Sequence, residues 1–171
     1  LPARTRVVAH GLEVKVITDG EVVESAQDIN PLDFVKAYQA RFKTPPYQGL
    51  PRFTGGLAGY FGYETVRYIE RRLAATEKPD VLEVPDVLLM VSEELAVVDN
   101  LSGKLYFIVY ADPATPNAYE AARARLQALI QRLRKSVAVP ESRAYSAVEA
   151  HSEFGEAGFK AAVEKAKQYI F

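Results

Sequence analysis

The order of apolar and polar positions divides the chain into short strand-like runs and helical stripes, separated by breaks rich in Gly, Pro, Asn and Asp. Residues 6–9, 12–18 and 21–25 read as strands, with His10-Gly11 and Asp19-Gly20 between them. Asp-Gly is a strong two-residue hairpin signal because both central positions take positive φ. The three runs predict an antiparallel meander, with Val14 and Val16 on one face and Glu13, Lys15 and Ile17 on the other. Asn30-Pro31-Leu32-Asp33 then opens a helix. Asn30 caps it, Pro31 suits the first helical position and Asp33 complements the dipole. That helix is expected to run to about Phe42, with Leu32, Val35, Tyr38 and Phe42 as its apolar stripe.

Prolines at 45, 46 and 51 make residues 44–51 an exposed connector. Residues 64–73 predict a short helix with Val66, Ile69 and Leu73 on one face and Arg67 paired to Glu64 or Glu70. A loop at 79–85 leads to strands at 87–91, 95–99 and 104–110. The last two are joined by Asn100-Leu101-Ser102-Gly103 as a hairpin apolar enough to be central in a sheet. The longest helix spans about 118–135, with Tyr119, Ala122, Leu126, Leu129, Ile130 and Leu133 facing inward and Arg132, Arg134 and Lys135 at the end that favours cations. Residues 136–150 have no period and read as a linker. Ser152 caps a last helix carrying Phe159, Ala162, Val163, Ala166 and Ile170. The pattern as a whole is α+β: a mainly antiparallel sheet with helices packed on it.

One run stands apart. Residues 51–72 read PRFTGGLAGYFGYETVRYIERR, with Gly56, Gly59 and Gly62 three residues apart, Gly55 adjacent, and Tyr60, Phe61 and Tyr63 between and after them. Repeated glycines in a strand point to a backbone crossed closely by another, or bent by bulges, with the aromatics packed beside the gaps. A phosphate cradle is the competing use of glycine. It lacks its patterns here, since no G-x-G-x-x-G occurs and no Lys-Ser or Lys-Thr follows.

Lysine and arginine number 21 against 22 aspartates and glutamates, so net charge points to neither nucleic acid nor an anionic membrane. The absence of cysteine excludes disulfides, thiolate metal sites and a cysteine nucleophile. No apolar run approaches the roughly 18 residues that span a bilayer, and no signal-peptide pattern opens the chain. A start at Leu1 and a stop at Tyr169-Ile170-Phe171, inside an expected helix, read as the cut ends of a longer protein. The stripe of that last helix needs a partner, so it is expected to fray or to dock on a neighbouring copy.

Candidate chemistry is sparse. His10 and His151 have no ligand-spaced companion, and no H-E-x-x-H or calcium-loop pattern is present, so they read as surface histidines. Glu93 and Glu94 are adjacent on a strand-like run and point to opposite faces, so they cannot form a two-carboxylate site. No G-x-S-x-G elbow occurs. The residues alone nominate no catalytic, cofactor-binding or metal-ligating position.

The string TGGLAGYFGYETVRY resembles the hallmark of the large (component I) subunit of anthranilate synthase, with Gly55, Gly56, Gly59, Tyr60, Gly62, Tyr63, Glu64, Val66, Arg67 and Tyr68 on the matching positions. The related aminodeoxychorismate synthase carries a looser version, and a free-standing interaction module docking through the glycine-aromatic strand is the non-enzymatic alternative. The resemblance implies part of the two-sheet α/β sandwich of chorismate-using enzymes. Residues 1–150 would be the N-terminal domain and 151–171 the first helix of the chorismate-binding half. It implies a complete cytoplasmic enzyme, a lyase of tryptophan biosynthesis, that converts chorismate and ammonia to anthranilate and pyruvate. Mg2+ would be its cofactor, a glutamine amidotransferase subunit its ammonia source and tryptophan its feedback inhibitor. The family's catalytic and Mg2+ residues lie in the C-terminal half and its tryptophan segment upstream of Leu1. The resemblance therefore places no catalytic, cofactor or metal residue in this chain, which alone is expected to be inactive and to bind tryptophan only weakly.

Overall fold

The computed structural model describes residues 3–45, 47–74, 80, 82–137, 149, 151–152 and 154–170. It divides into two compact units, residues 1–135 and 136–171.

The first unit opens with the expected meander: β1 (Thr5–His10), β2 (Glu13–Thr18) and β3 (Glu21–Ala26). Asp19 and Gly20 adopt φ of 51° and 94°, the two positive values a tight hairpin needs. After α1 (Pro31–Gln39) the chain returns as β4 (Gly56–Phe61) and β5 (Val87–Ser92). These complete a five-stranded antiparallel sheet in the order β3-β2-β1-β5-β4. The register sets Val7 opposite both Val16 and Leu89, and Ala9 opposite both Val14 and Val87. One face is thereby built of small branched side chains, and Phe34, Val35 and Tyr38 of α1 close over it. Burying each of these large side chains stabilises the fold by roughly 1.5–3 kcal/mol, so this layer is the main source of stability.

Helix α1 starts as the sequence predicts, with Asn30 Oδ1 accepting the Leu32 amide at 2.9 Å, but it ends at Gln39 rather than near Phe42. Its buried stripe is Pro31, Phe34, Val35 and Tyr38, and Phe42 is exposed. Phe34 rather than Leu32 faces the sheet, and its ring stacks on Tyr38 at 6.1 Å.

Three expectations are corrected. Residues 63–73 form two 3-10 segments, Tyr63–Tyr68 and Arg71–Leu73, instead of an α-helix; Gly62 before the first and Tyr68 at its end both bond Asp86. The expected apolar face of that segment is not buried: Ile69 is 75% exposed, and Leu73 is exposed too. The hairpin of β6 (Glu94–Asp99) and β7 (Lys104–Val109) does not enter the main sheet but forms a two-stranded sheet of its own. Only Glu93 separates β5 from β6, and its carbonyl takes the Tyr110 amide at 2.9 Å, so the chain leaves the first sheet already paired to β7.

Helix α2 (Ala118–Leu133) packs against β7 through Leu129, while Tyr119, Ile130 and Leu133 of the expected stripe are exposed. The second unit contains α3 (Gly155–Gln168), where the Ser152 hydroxyl accepts the Gly155 amide at 3.1 Å. None of its residues is buried, and Phe159 is exposed. Most of the expected linker, residues 138–148 and 150, lies outside the described residues, as do Pro46, Pro79 and Val81 of the two expected connectors.

Candidate functional site

The glycine-aromatic run forms edge strand β4 and the 3-10 segment after it, and its glycines have a physical reason. A Cβ on Gly59 would overlap the Leu88 carbonyl oxygen and lie 2.9 Å from Leu89 Cα, so only glycine lets β4 approach β5 this closely. At Gly55 a Cβ would meet the Tyr110 ring, and the Ser92 carbonyl oxygen at 2.9 Å. The close crossing inferred from the sequence is therefore present. The aromatics do not fill the gaps: Phe61 is 52% exposed and Tyr63 90% exposed. Tyr60 instead lies along the sheet surface and donates its hydroxyl to the Pro85 carbonyl at 3.0 Å.

The second half of the run is tied to the rest of the unit by Asp86. Gly62 N–H donates to the Asp86 carbonyl at 2.7 Å, and the Asp86 N–H donates to the Ala9 carbonyl at 2.9 Å. The Asp86 carboxylate takes the Gly11 amide at 2.7 Å. Tyr68 Oη lies 2.7 Å from Asp86 Oδ2 and 2.8 Å from the Gly11 carbonyl, so its one proton serves either acceptor. Burial, and then the bond to Asp86, push the Tyr68 phenol far above its ordinary range, so it remains a neutral donor. Asn30 joins the knot by donating Nδ2–H to the Tyr68 carbonyl at 3.0 Å. Thr65, buried among these groups, donates its hydroxyl to the Gly62 carbonyl. Arg67 pairs with Glu64 at 2.7 Å, one of the two partners expected.

Beside the start of β4 lies a cleft of about 550 Å³, open to solvent, between the end of α1 and the end of β7. Gln39, Lys43, Thr54, Glu93, Tyr110 and Asp112 supply its polar lining, and Leu57 and Val91 part of its apolar wall. Tyr110 Oη and Thr54 Oγ1 are 3.1 Å apart across it. Arg41 at its rim is committed elsewhere: both guanidinium arms bond the Glu24 carboxylate at 2.6 and 2.7 Å, and the group lies 4.9 Å from the centre of the Tyr38 ring. That pairing holds the Glu24 carboxyl below its usual range.

Glu93 is exposed between strands, whereas Glu94 accepts from Nε and Nη2 of Arg125 in α2 at 2.6 and 2.8 Å. His10 is exposed at the end of β1 and His151 in the second unit. Among the described residues no three His, Asp or Glu side chains converge where a metal ion could be held. No helix among them is long and apolar enough to cross a membrane.

The chain is 55% identical to anthranilate synthase component 1 of Neisseria meningitidis serogroup C, over all of its own length and 35% of that relative. It is 43% identical to the Pseudomonas putida protein of the same name, over 99% of this chain and 36% of that one. The crystal structure of anthranilate synthase component I from Streptococcus pneumoniae superimposes with a TM-score of 0.63 at 25% identity, covering 98% of this chain and 38% of the other. The chain thus spans about a third of the length of these relatives. A family described as chorismate binding enzyme matches residues 2–171, and the chain belongs to that family.

Proposed function

We propose that this chain is the N-terminal, non-catalytic part of a component I of anthranilate synthase. The observation that carries the reading is the identity of 55% sustained over the whole chain, hallmark included, to a protein of that name. In complete form the enzyme would convert chorismate and ammonia to anthranilate and pyruvate, with Mg2+ bound by the remaining two thirds. The ammonia would come from a glutamine amidotransferase subunit, and tryptophan would regulate the cytoplasmic enzyme by feedback. Within it, residues 1–150 act as the N-terminal domain and residues 151–171 begin the chorismate-binding half. The contribution of this chain would be structural: the five-stranded sheet, closed on one face by α1, carries the hallmark segment from its edge strand β4.

The test is anthranilate fluorescence from chorismate, Mg2+ and ammonium. The chain alone should form none, and the longer polypeptide containing it should form anthranilate. Consumption of chorismate to another product by that longer protein would transfer the assignment to aminodeoxychorismate synthase, and turnover by the chain alone would misplace the chemistry. By calorimetry the chain alone should bind tryptophan weakly, and micromolar affinity would refute the absence of a complete inhibitor site.

A further inference from the structure

We propose that Asp86 is a latch: one residue that ties the hallmark segment, residues 62–70, to the β1–β2 turn and so decides whether that segment is closed on the sheet. Its backbone and its carboxylate both take part. The Asp86 N–H bonds the end of β1 at Ala9, its carbonyl accepts Gly62 at 2.7 Å, and its carboxylate accepts Gly11 and faces Tyr68, each at 2.7 Å. Two segments far apart in sequence, the β1–β2 turn and the hallmark segment, therefore meet on one residue. Gly11, with φ of 54°, adopts the left-handed turn conformation, and its amide reaches the carboxylate.

Among the described residues, few side chains of the hallmark segment are buried. Within Tyr63–Tyr68 only Thr65 is buried, and Tyr63 and Ile69 extend into solvent. A segment with so few apolar contacts has a low local opening free energy unless polar contacts raise it. Polar contacts on its C-terminal side include the Tyr68 hydroxyl, shared between Asp86 and Gly11, and the Tyr68 carbonyl, which accepts from Asn30. Cutting the carboxylate should free the segment as a unit and leave the sheet, which rests on its own apolar layer, closed. Asp86 is in this sense a positioning residue for Tyr63, Glu64 and Arg67, the side chains the segment carries.

Hydrogen exchange of the full chain, resolved by peptide, tests the latch. Asp86→Ala should accelerate exchange in residues 62–70 and at Gly11 by about tenfold or more while β2 and the middle of β5 keep their protection. Asp86→Asn should restore most of the protection, because an amide oxygen can accept the same two donors. Unchanged exchange at 62–70 in Asp86→Ala, or a rise shared equally by β2 and β5, would overturn the latch. Should Asp86→Ala fail to fold, Tyr68→Phe keeps the carboxylate in place and removes only the hydroxyl. It should still accelerate 62–70 selectively, and no acceleration there would equally overturn the proposal.

Discussion

At Gly59 the contact is backbone against backbone: a methyl group would have to occupy the space of the Leu88 carbonyl oxygen. Neither partner can rotate away, so Gly59→Ala should destabilise the first unit by about 1–3 kcal/mol, as overpacking of a filled site does. Urea denaturation would show it as a lower midpoint at an unchanged slope. Leu89, almost fully buried between Val7 and Gly59, should cost about 2–5 kcal/mol when cut to Ala. The need for glycine at 59 was legible in the sequence, because glycine spaced between aromatics has few other uses in a strand. Asp86 was not. A lone aspartate in a loop carries no periodic signal, and its carboxylate partners, Gly11 and Tyr68, are 75 and 18 positions away.

Among the elements, strands and the cap of α1 followed from local rules, since alternation, Asp-Gly and Asn-Pro act within a few residues. Apart from the early end of α1 and the 3-10 form of residues 63–73, what failed was tertiary. The apolar β6–β7 hairpin reads as a sheet centre, yet the Glu93 carbonyl pairs with Tyr110 and carries the chain out of the main sheet. Nor does Glu94 announce that Arg125, 31 residues later, will pair with it. This pair joins α2 to β6, and Glu24–Arg41 joins β3 to the turn after α1; in each the guanidinium bond holds the carboxyl below its usual range. A depressed folded-state pKa adds stability that is present above the unfolded value, about 4.3 for Glu, and is lost as pH falls through the folded one. Stability should therefore decline on acidification below about pH 4–5. Glu94→Gln should flatten part of that decline, and an unchanged pH profile from denaturant titrations would show the pair to be unimportant.

At the scale of the whole molecule, a packed sheet and a family hallmark occur in a chain about a third as long as its relatives. The family could be read from residues 54–68, a string in which Gly55 and Gly59 leave no room for a Cβ and Gly62 and Tyr68 bond Asp86. No catalytic residue could be read, and among the described residues no cluster of metal-binding side chains is formed. If the proposed function holds, this chain should exchange for the matching third of a relative. The most direct measurement is a chimera in which it replaces the matching third of the Neisseria meningitidis component 1, assayed for ammonia-dependent anthranilate formation. The chimera should keep the parent rate within about tenfold, equivalent to roughly 1.4 kcal/mol in the barrier. A chimera that folds with the parent's thermal stability and forms no anthranilate would contradict the account.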